Sequence, residues 1–201
     1  NIFIRCFNST TMKIMVVLGT RPEIIKLSPV IRELKKRTVN SFLVHTDQHY
    51  SKEMSDIFFE KLGLDKPDYS LGVGSKSHAQ QTADMLVELE KVILKEKPTH
   101  IIVQGDTNTV LAGALTASKL KVKVCHVEAG LRSFDRDMPE EINRVITDHI
   151  SDHLFAPTIL AENNLLKENI DRKKIKMTGN TIVDAVEQNL LLSSKHSTFL
   201  S

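Results

Sequence analysis

The chain lacks the features that mark several functional classes. It carries two cysteines, Cys6 and Cys125, in 201 residues. They lie far apart and form no CxxC pair, so no zinc or dithiol redox motif is encoded. A reduced, cytoplasmic setting is the simplest expectation. No apolar run approaches the roughly 20 residues that span a bilayer, so no membrane partner is expected. Lysine and arginine number 27 against 25 acidic residues, a formal net charge of +2. That balance provides no basic arm for nucleic acid and no acidic tail. The GxGxxG fingerprint is missing after the first apolar run, and GxxxxGK[ST] is missing too. Those absences argue against a standard dinucleotide site and a P-loop nucleotidase. No internal repeat or low-complexity segment interrupts the chain.

What is present is ordinary globular composition, 41% hydrophobic and 26% charged. It suffices for one domain with a real core, or for one domain plus a stub of another. Short apolar runs alternate with longer amphipathic ones. KIMVVL (13–18), SFLVHT (41–46), HIIVQ (100–104) and KVCHV (123–127) predict strands. Residues 22–37, a segment ending near Gly63, and residues 78–97, 109–120 and 139–150 predict helices, and the alternation continues past residue 180. In 78–97, Ala79, Ala83, Leu86, Leu89 and Ile93 recur at steps of three and four and predict one apolar stripe. Short strands, apolar on both faces and separated by helices, predict a doubly wound α/β domain around a parallel sheet. Residues 12–178 are assigned to that domain. Residues 1–11 precede Met12 and are read as an extension outside the fold, the alternative being an edge strand. Residues 179–201 read as the start of a connection, ending inside or just after a helix.

In an open parallel sheet, ligands bind beyond the carboxyl ends of the strands. Here those ends read GTRPE (19–23), TDQHY (46–50), GDTNT (105–109), EAGLRS (128–133), APT (156–158) and TGNT (178–181). Most of the unusual polar residues fall in them, which points to one site. Asp106 and Thr107 precede a helix, where ordinary N-capping is the plainer reading, but a helix start facing a cleft also attracts phosphate. Arg21 stands just before a helix. Lys26 lies in its first turn, where a cation opposes the helix dipole unless an anion compensates. Glu140 and Glu141 suit the dipole of the next helix, and Arg144 can pair with either. Asp135 and Asp137 read as solvated. His45 and His49, like His149 and His153, are four apart without a third ligand in pattern, so no metal is expected. The residue types suit a phosphorylated ligand and proton transfer by carboxylates.

Five segments in order, GTRPEIIKLSP, QGDTNTVLAG, HVEAGLRS, PEEINR and TGNTIVDA, resemble the non-hydrolysing UDP-N-acetylglucosamine 2-epimerases from Met12 to about Leu192. Each alone is weak; the ordered set is specific. The resemblance implies the Rossmann-like N-terminal domain of a GT-B-type two-domain fold, with the second domain absent from this chain. It implies interconversion of UDP-N-acetylglucosamine and UDP-N-acetylmannosamine by elimination and re-addition of UDP, with no cofactor and no metal. The full-length family is expected to form homodimers. Matched residue by residue, Asp106, Glu128 and Glu140 are the implied catalytic carboxylates, and Arg21 and Lys26 the basic residues near the diphosphate. Arg132 is placed beside them as a phosphate-side or supporting residue. With half the cleft missing, the chain alone is expected to turn over poorly. Two other readings stand beside this one. One is a hydrolysing relative that releases N-acetylmannosamine and UDP. The other is a non-catalytic dimerisation module using helix 78–97 or its neighbours.

Overall fold

The computed structural model describes residues 12–48 and 52–196. Among them, seven strands form one parallel sheet in the order β3-β2-β1-β4-β5-β6-β7. The strands are β1 (Ile14–Leu18), β2 (Ser41–His45), β3 (Tyr69–Ser70), β4 (His100–Gln104), β5 (Lys123–Val127), β6 (His153–Ala156) and β7 (Ile175–Met177). The connecting helices are α1 (Arg21–Lys36), α2 (Lys52–Lys61), α3 (His78–Glu96), α4 (Asn108–Lys119), α5 (Pro139–Ile150) and α6 (Ile159–Lys167), and α7 (Thr181–His196) follows β7. The expected doubly wound α/β architecture is thus present. The reading of residues 1–11 lies outside the described residues.

Every residue of β1 is buried. A strand in the middle of a parallel sheet has helices over both faces, so it reads as continuous rather than alternating hydrophobicity. Its side chains nevertheless divide by parity. Ile14, Val16 and Leu18 pack with Ile24, Leu27, Ile31 and Leu34 of α1 and Phe59 of α2. Met15 and Val17 pack with Met85, Leu89 and Val92 of α3 and Val110, Ala114 and Ala117 of α4. Each fully buried aliphatic side chain contributes roughly 1.5–3 kcal/mol. Small residues on α4 let that helix lie close to the sheet. Arg32 ties α7 back to α1 through Gln188 at 2.5 Å and binds the Leu62 carbonyl at 2.6 Å.

The stripe expected on α3 holds at Leu89 and Ile93 and is rotated toward its N-terminal end. Gln81, Met85, Leu89, Val92 and Ile93 are the buried positions, while Ala79 and Ala83 are exposed. Gln81 faces inward because its amide donates to the Gln48 and Gly74 carbonyls and its oxygen accepts from Asn108. A polar residue made acceptable inside by hydrogen bonds is invisible to a hydrophobic pattern. The displaced apolar residues Ala79, Ala83 and Leu86 instead face Leu111 and Ile142 across an open groove between α3, α4 and α5.

Candidate active site

The chain order reverses between β1 and β4, the place where an open sheet leaves a crevice above its strand ends. Three segments crowd there. A β-carbon added at Gly19 would lie 2.2 Å from Thr46 Oγ1 and 2.3 Å from Thr109 Oγ1. Only glycine lets the end of β1 pass that close. Glu23, in the first turn of α1, is 2% exposed. One of its oxygens accepts the backbone N–H groups of Gly19 and Thr20, both at 2.7 Å, and the other accepts the Thr107 hydroxyl at 2.6 Å. Burial pushes the Glu23 carboxyl above its ordinary value, and those hydrogen bonds pull it only part of the way back. Glu23 therefore joins the β1 end to the β4 end. The sequence reading passes over it, although TRPE has the spacing of a helix capping box.

Glu128 follows β5 directly with φ +67°, a left-handed conformation that costs a non-glycine residue about 1–2 kcal/mol. The turn aims its carboxylate inward rather than to solvent. Lys26 Nζ lies 2.7 Å from Glu128 Oε2, and Gln104 of β4 donates to the same oxygen. The side chain of Glu128 is 4% exposed and that of Lys26 30%. Lys26 lies in the second turn of α1 rather than the first, and the anion that faces it is a residue of the chain itself.

Asp106 and Glu140 meet elsewhere on the same edge. Both line a cavity of about 300 Å³ at the start of α4, together with Asn143, and Lys76, His78 and Gln81 line it from the α3 side. Thr107, not Asp106, caps α4, accepting the Val110 N–H. Arg144 holds Asp106 Oδ2 through Nη2 at 2.6 Å and Nε at 3.0 Å, and reaches Glu141 Oε2 at 2.7 Å with Nη1. Asn143 donates to the Asp106 carbonyl at 2.8 Å. Burial opposes ionisation of Glu141, but the Ser133 and Phe134 N–H groups and Arg144 outweigh it and hold the carboxyl below its usual value. The neighbours Glu140 and Glu141 therefore differ in kind. The first is exposed at the cavity, and the second is 1% exposed and organises the loop after Gly130.

Arg21 begins α1, with its guanidinium 5.7 Å from the centre of the Phe58 ring. Arg132 lies apart from the cavity. Its side chain is 1% exposed and binds Glu168 at 2.7 Å through Nε and Asp148 at 2.8 Å through Nη1. His126 and Asp148 complete that cluster, and nothing in their spacing announces it. Among the described residues, no group of three or more His, Cys, Asp or Glu side chains is arranged to hold a metal ion.

The fold and this edge define a Rossmann-like α/β domain of the GT-B class that presents carboxylates and cations at its strand ends. Comparison with known proteins narrows the class. The profile of the UDP-N-acetylglucosamine 2-epimerase family matches residues 32–199. UDP-N-acetylglucosamine 2-epimerase of Methanocaldococcus jannaschii is 64% identical over 185 residues, covering 92% of this chain and 50% of that protein. The crystal structure of the Methanocaldococcus jannaschii enzyme in complex with UDP-GlcNAc and UDP superposes with a TM-score of 0.89 at 63% identity, covering 92% of this chain and 51% of that one. UDP-2,3-diacetamido-2,3-dideoxy-D-glucuronate 2-epimerase of Pseudomonas aeruginosa is 48% identical, covering 93% of this chain and 52% of that protein. The chain belongs to the UDP-N-acetylglucosamine 2-epimerase family, and it spans about half the length of the curated relatives it matches.

Proposed function

We propose that this chain forms the N-terminal half of a non-hydrolysing UDP-N-acetylglucosamine 2-epimerase, with the active cleft completed by a second domain. The observation that carries the reading is Glu128, a strained, buried carboxylate held by Lys26 and Gln104 at the end of β5. In the proposed reaction a carboxylate takes the proton from C2 as the bond from C1 to the UDP oxygen breaks. A double bond forms between C1 and C2, and UDP leaves with the electron pair. Return of a proton to the opposite face of C2, with re-addition of UDP at C1, gives the epimer. Asp106, Glu128 and Glu140 are the proposed acid–base groups. Arg21 and Lys26 supply positive charge toward the departing diphosphate. Arg132 supports the loop from within, as its buried contacts favour.

Incubation with UDP-N-acetylglucosamine in heavy water tests the proposal, with the chain alone and with the second half of the longer relatives supplied. Deuterium at C2 is expected in the combined sample and little in the chain alone. No deuterium in either would sink the reading, and release of free N-acetylmannosamine would select the hydrolysing one. The apolar groove over Ala83, Leu86 and Ile142 is the face proposed for the family's homodimer. Sedimentation of Leu86→Glu against the unaltered chain checks it, with loss of dimer expected.

A further inference from the structure

Asp148, near the end of α5, has no exposed side-chain surface. Oδ1 accepts from His126 Nδ1 at 2.6 Å, and His126 Nε2 faces the Gly105 carbonyl at 2.8 Å. Oδ2 accepts the Gly130 N–H at 3.0 Å and Arg132 Nη1 at 2.8 Å. One carboxylate thus reaches both turns that carry the proposed acid–base residues. Gly105 precedes Asp106 with φ +87°, and Gly130 follows Glu128 by two residues with φ +82°. Neither turn belongs to a strand or helix, so tertiary contacts must hold it. Gly130 is gripped on its other side as well, since Asn164 donates to its carbonyl at 3.0 Å.

Stability alone is a poor explanation for these ions. A buried ionic cluster gains little over apolar packing of similar volume, because removing the charges from water costs about as much as their attraction returns. What the cluster provides is direction, since each partner fits one geometry. Burial opposes the charge on Asp148, yet His126 and Arg132 outweigh it and hold its carboxyl below the ordinary value.

We propose that Asp148 is a positioning residue that couples the Asp106 turn to the Glu128 turn through His126 and the Gly130 N–H. The catalytic part of this proposal rests on the epimerase reading above; the coupling of the two turns does not.

Amide hydrogen exchange in the chain itself is the test. The Gly105 N–H bonds the Val127 carbonyl and never touches Asp148. In Asp148→Asn its exchange is expected to accelerate more than tenfold, while the Val16 amide in β1 stays unchanged. An unchanged Gly105 amide would overturn the coupling. If Asp148→Asn does not fold, His126→Gln cuts the same link while leaving Asp148 with Gly130 and Arg132. Faster exchange at Gly105 but not at Gly130 is then expected, and no response at Gly105 overturns the proposal. With the second half supplied, Asp148→Asn should lower kcat at least tenfold and leave KM within about twofold. A lowered melting temperature with kcat intact would reduce Asp148 to a structural role. Absence of any C2 exchange by the unaltered protein would instead defeat the epimerase reading, and the Gly105 measurement would still judge the coupling.

Discussion

Glu128 combines two costs in one residue, a left-handed backbone and a buried carboxylate. Such a combination persists only where surrounding structure over-determines it, and Asp47, with φ +56° and 3% exposure, shares it. Glu128→Gln keeps the shape and can still accept from Lys26, so the chain should remain folded. On the proposed epimerase reading, C2 exchange with the second half supplied should fall by about 10²–10⁴-fold, the usual worth of a positioned acid–base group. Exchange within threefold of the unaltered protein would remove Glu128 from the chemistry. Gly130 shows the opposite demand, for the absence of a side chain. A β-carbon there would stand 2.3 Å from the Ala161 carbonyl oxygen, at φ +82°. Gly130→Ala should therefore cost about 2–5 kcal/mol from backbone strain and overpacking together, read from urea unfolding. Asp106 and Glu128 were legible as candidates because they stand where a parallel sheet places ligands. The local bonds of Glu23 to Gly19 and Thr20 were legible in TRPE, but its bond to Thr107, 84 positions away, and the pairing of His126 with Asp148 were not, because those partners are distant in sequence.

At the scale of the element, α5 shows how one helix does two jobs. Its first turn presents Glu140 to the cavity, while Glu141 turns back to accept the Ser133 and Phe134 N–H groups. Glu141→Gln weakens charge-assisted bonds and should cost about 1–3 kcal/mol at neutral pH. The carboxyl is held below its ordinary value of 4.5, so its stabilisation is present above that value and lost as pH falls through the lowered one. The difference between variant and unaltered chain should close over that acidic range, and a difference independent of pH would refute the assignment. Helix α3 shows where pattern reading turned the wrong way. Its existence and length were plain from periodicity and Leu89 and Ile93 are buried as expected, but Ala79 and Ala83 were as regular as the buried Met85 and Val92. A helix with apolar residues on two faces does not announce which one meets its own sheet.

For the whole molecule, carboxyl groups with opposite shifts contribute opposite slopes to stability against pH. Asp47, Asp148 and Asp152 are held below the ordinary 3.8 despite burial, by His45, by His126 and Arg132, and by Lys123 respectively. Their contributions are present above that value and are lost as pH falls through the lowered ones. Glu23 runs the other way. Burial raises its carboxyl, so its contribution is present below 4.5 and is lost as pH rises through the raised value. His100 and His153, pushed below the ordinary imidazole value chiefly by burial, add to the loss as pH falls, so the opposite sign of Glu23 is read by comparing its variant with the unaltered chain. Glu23→Gln should flatten the side toward neutral pH and leave the acid side in place. A profile for that variant unchanged on the neutral side would contradict the placement of Glu23.

The sequence by itself determined the architecture and the family. Continuous apolar strands between amphipathic helices admit few arrangements other than a doubly wound parallel sheet, and the ordered strand-end motifs point to one family. It also pointed to one edge of the sheet as the place for a ligand, because that edge follows from strand direction. Only the tertiary structure decided how the charges divide. Lys26 with Glu128, Arg144 with Asp106 and Glu141, and Arg132 with Asp148 and Glu168 are pairings across elements. The physical reason is that charge has no periodicity along a chain. A buried carboxylate is tolerated only where a partner reaches it, and the fold decides which partner that is.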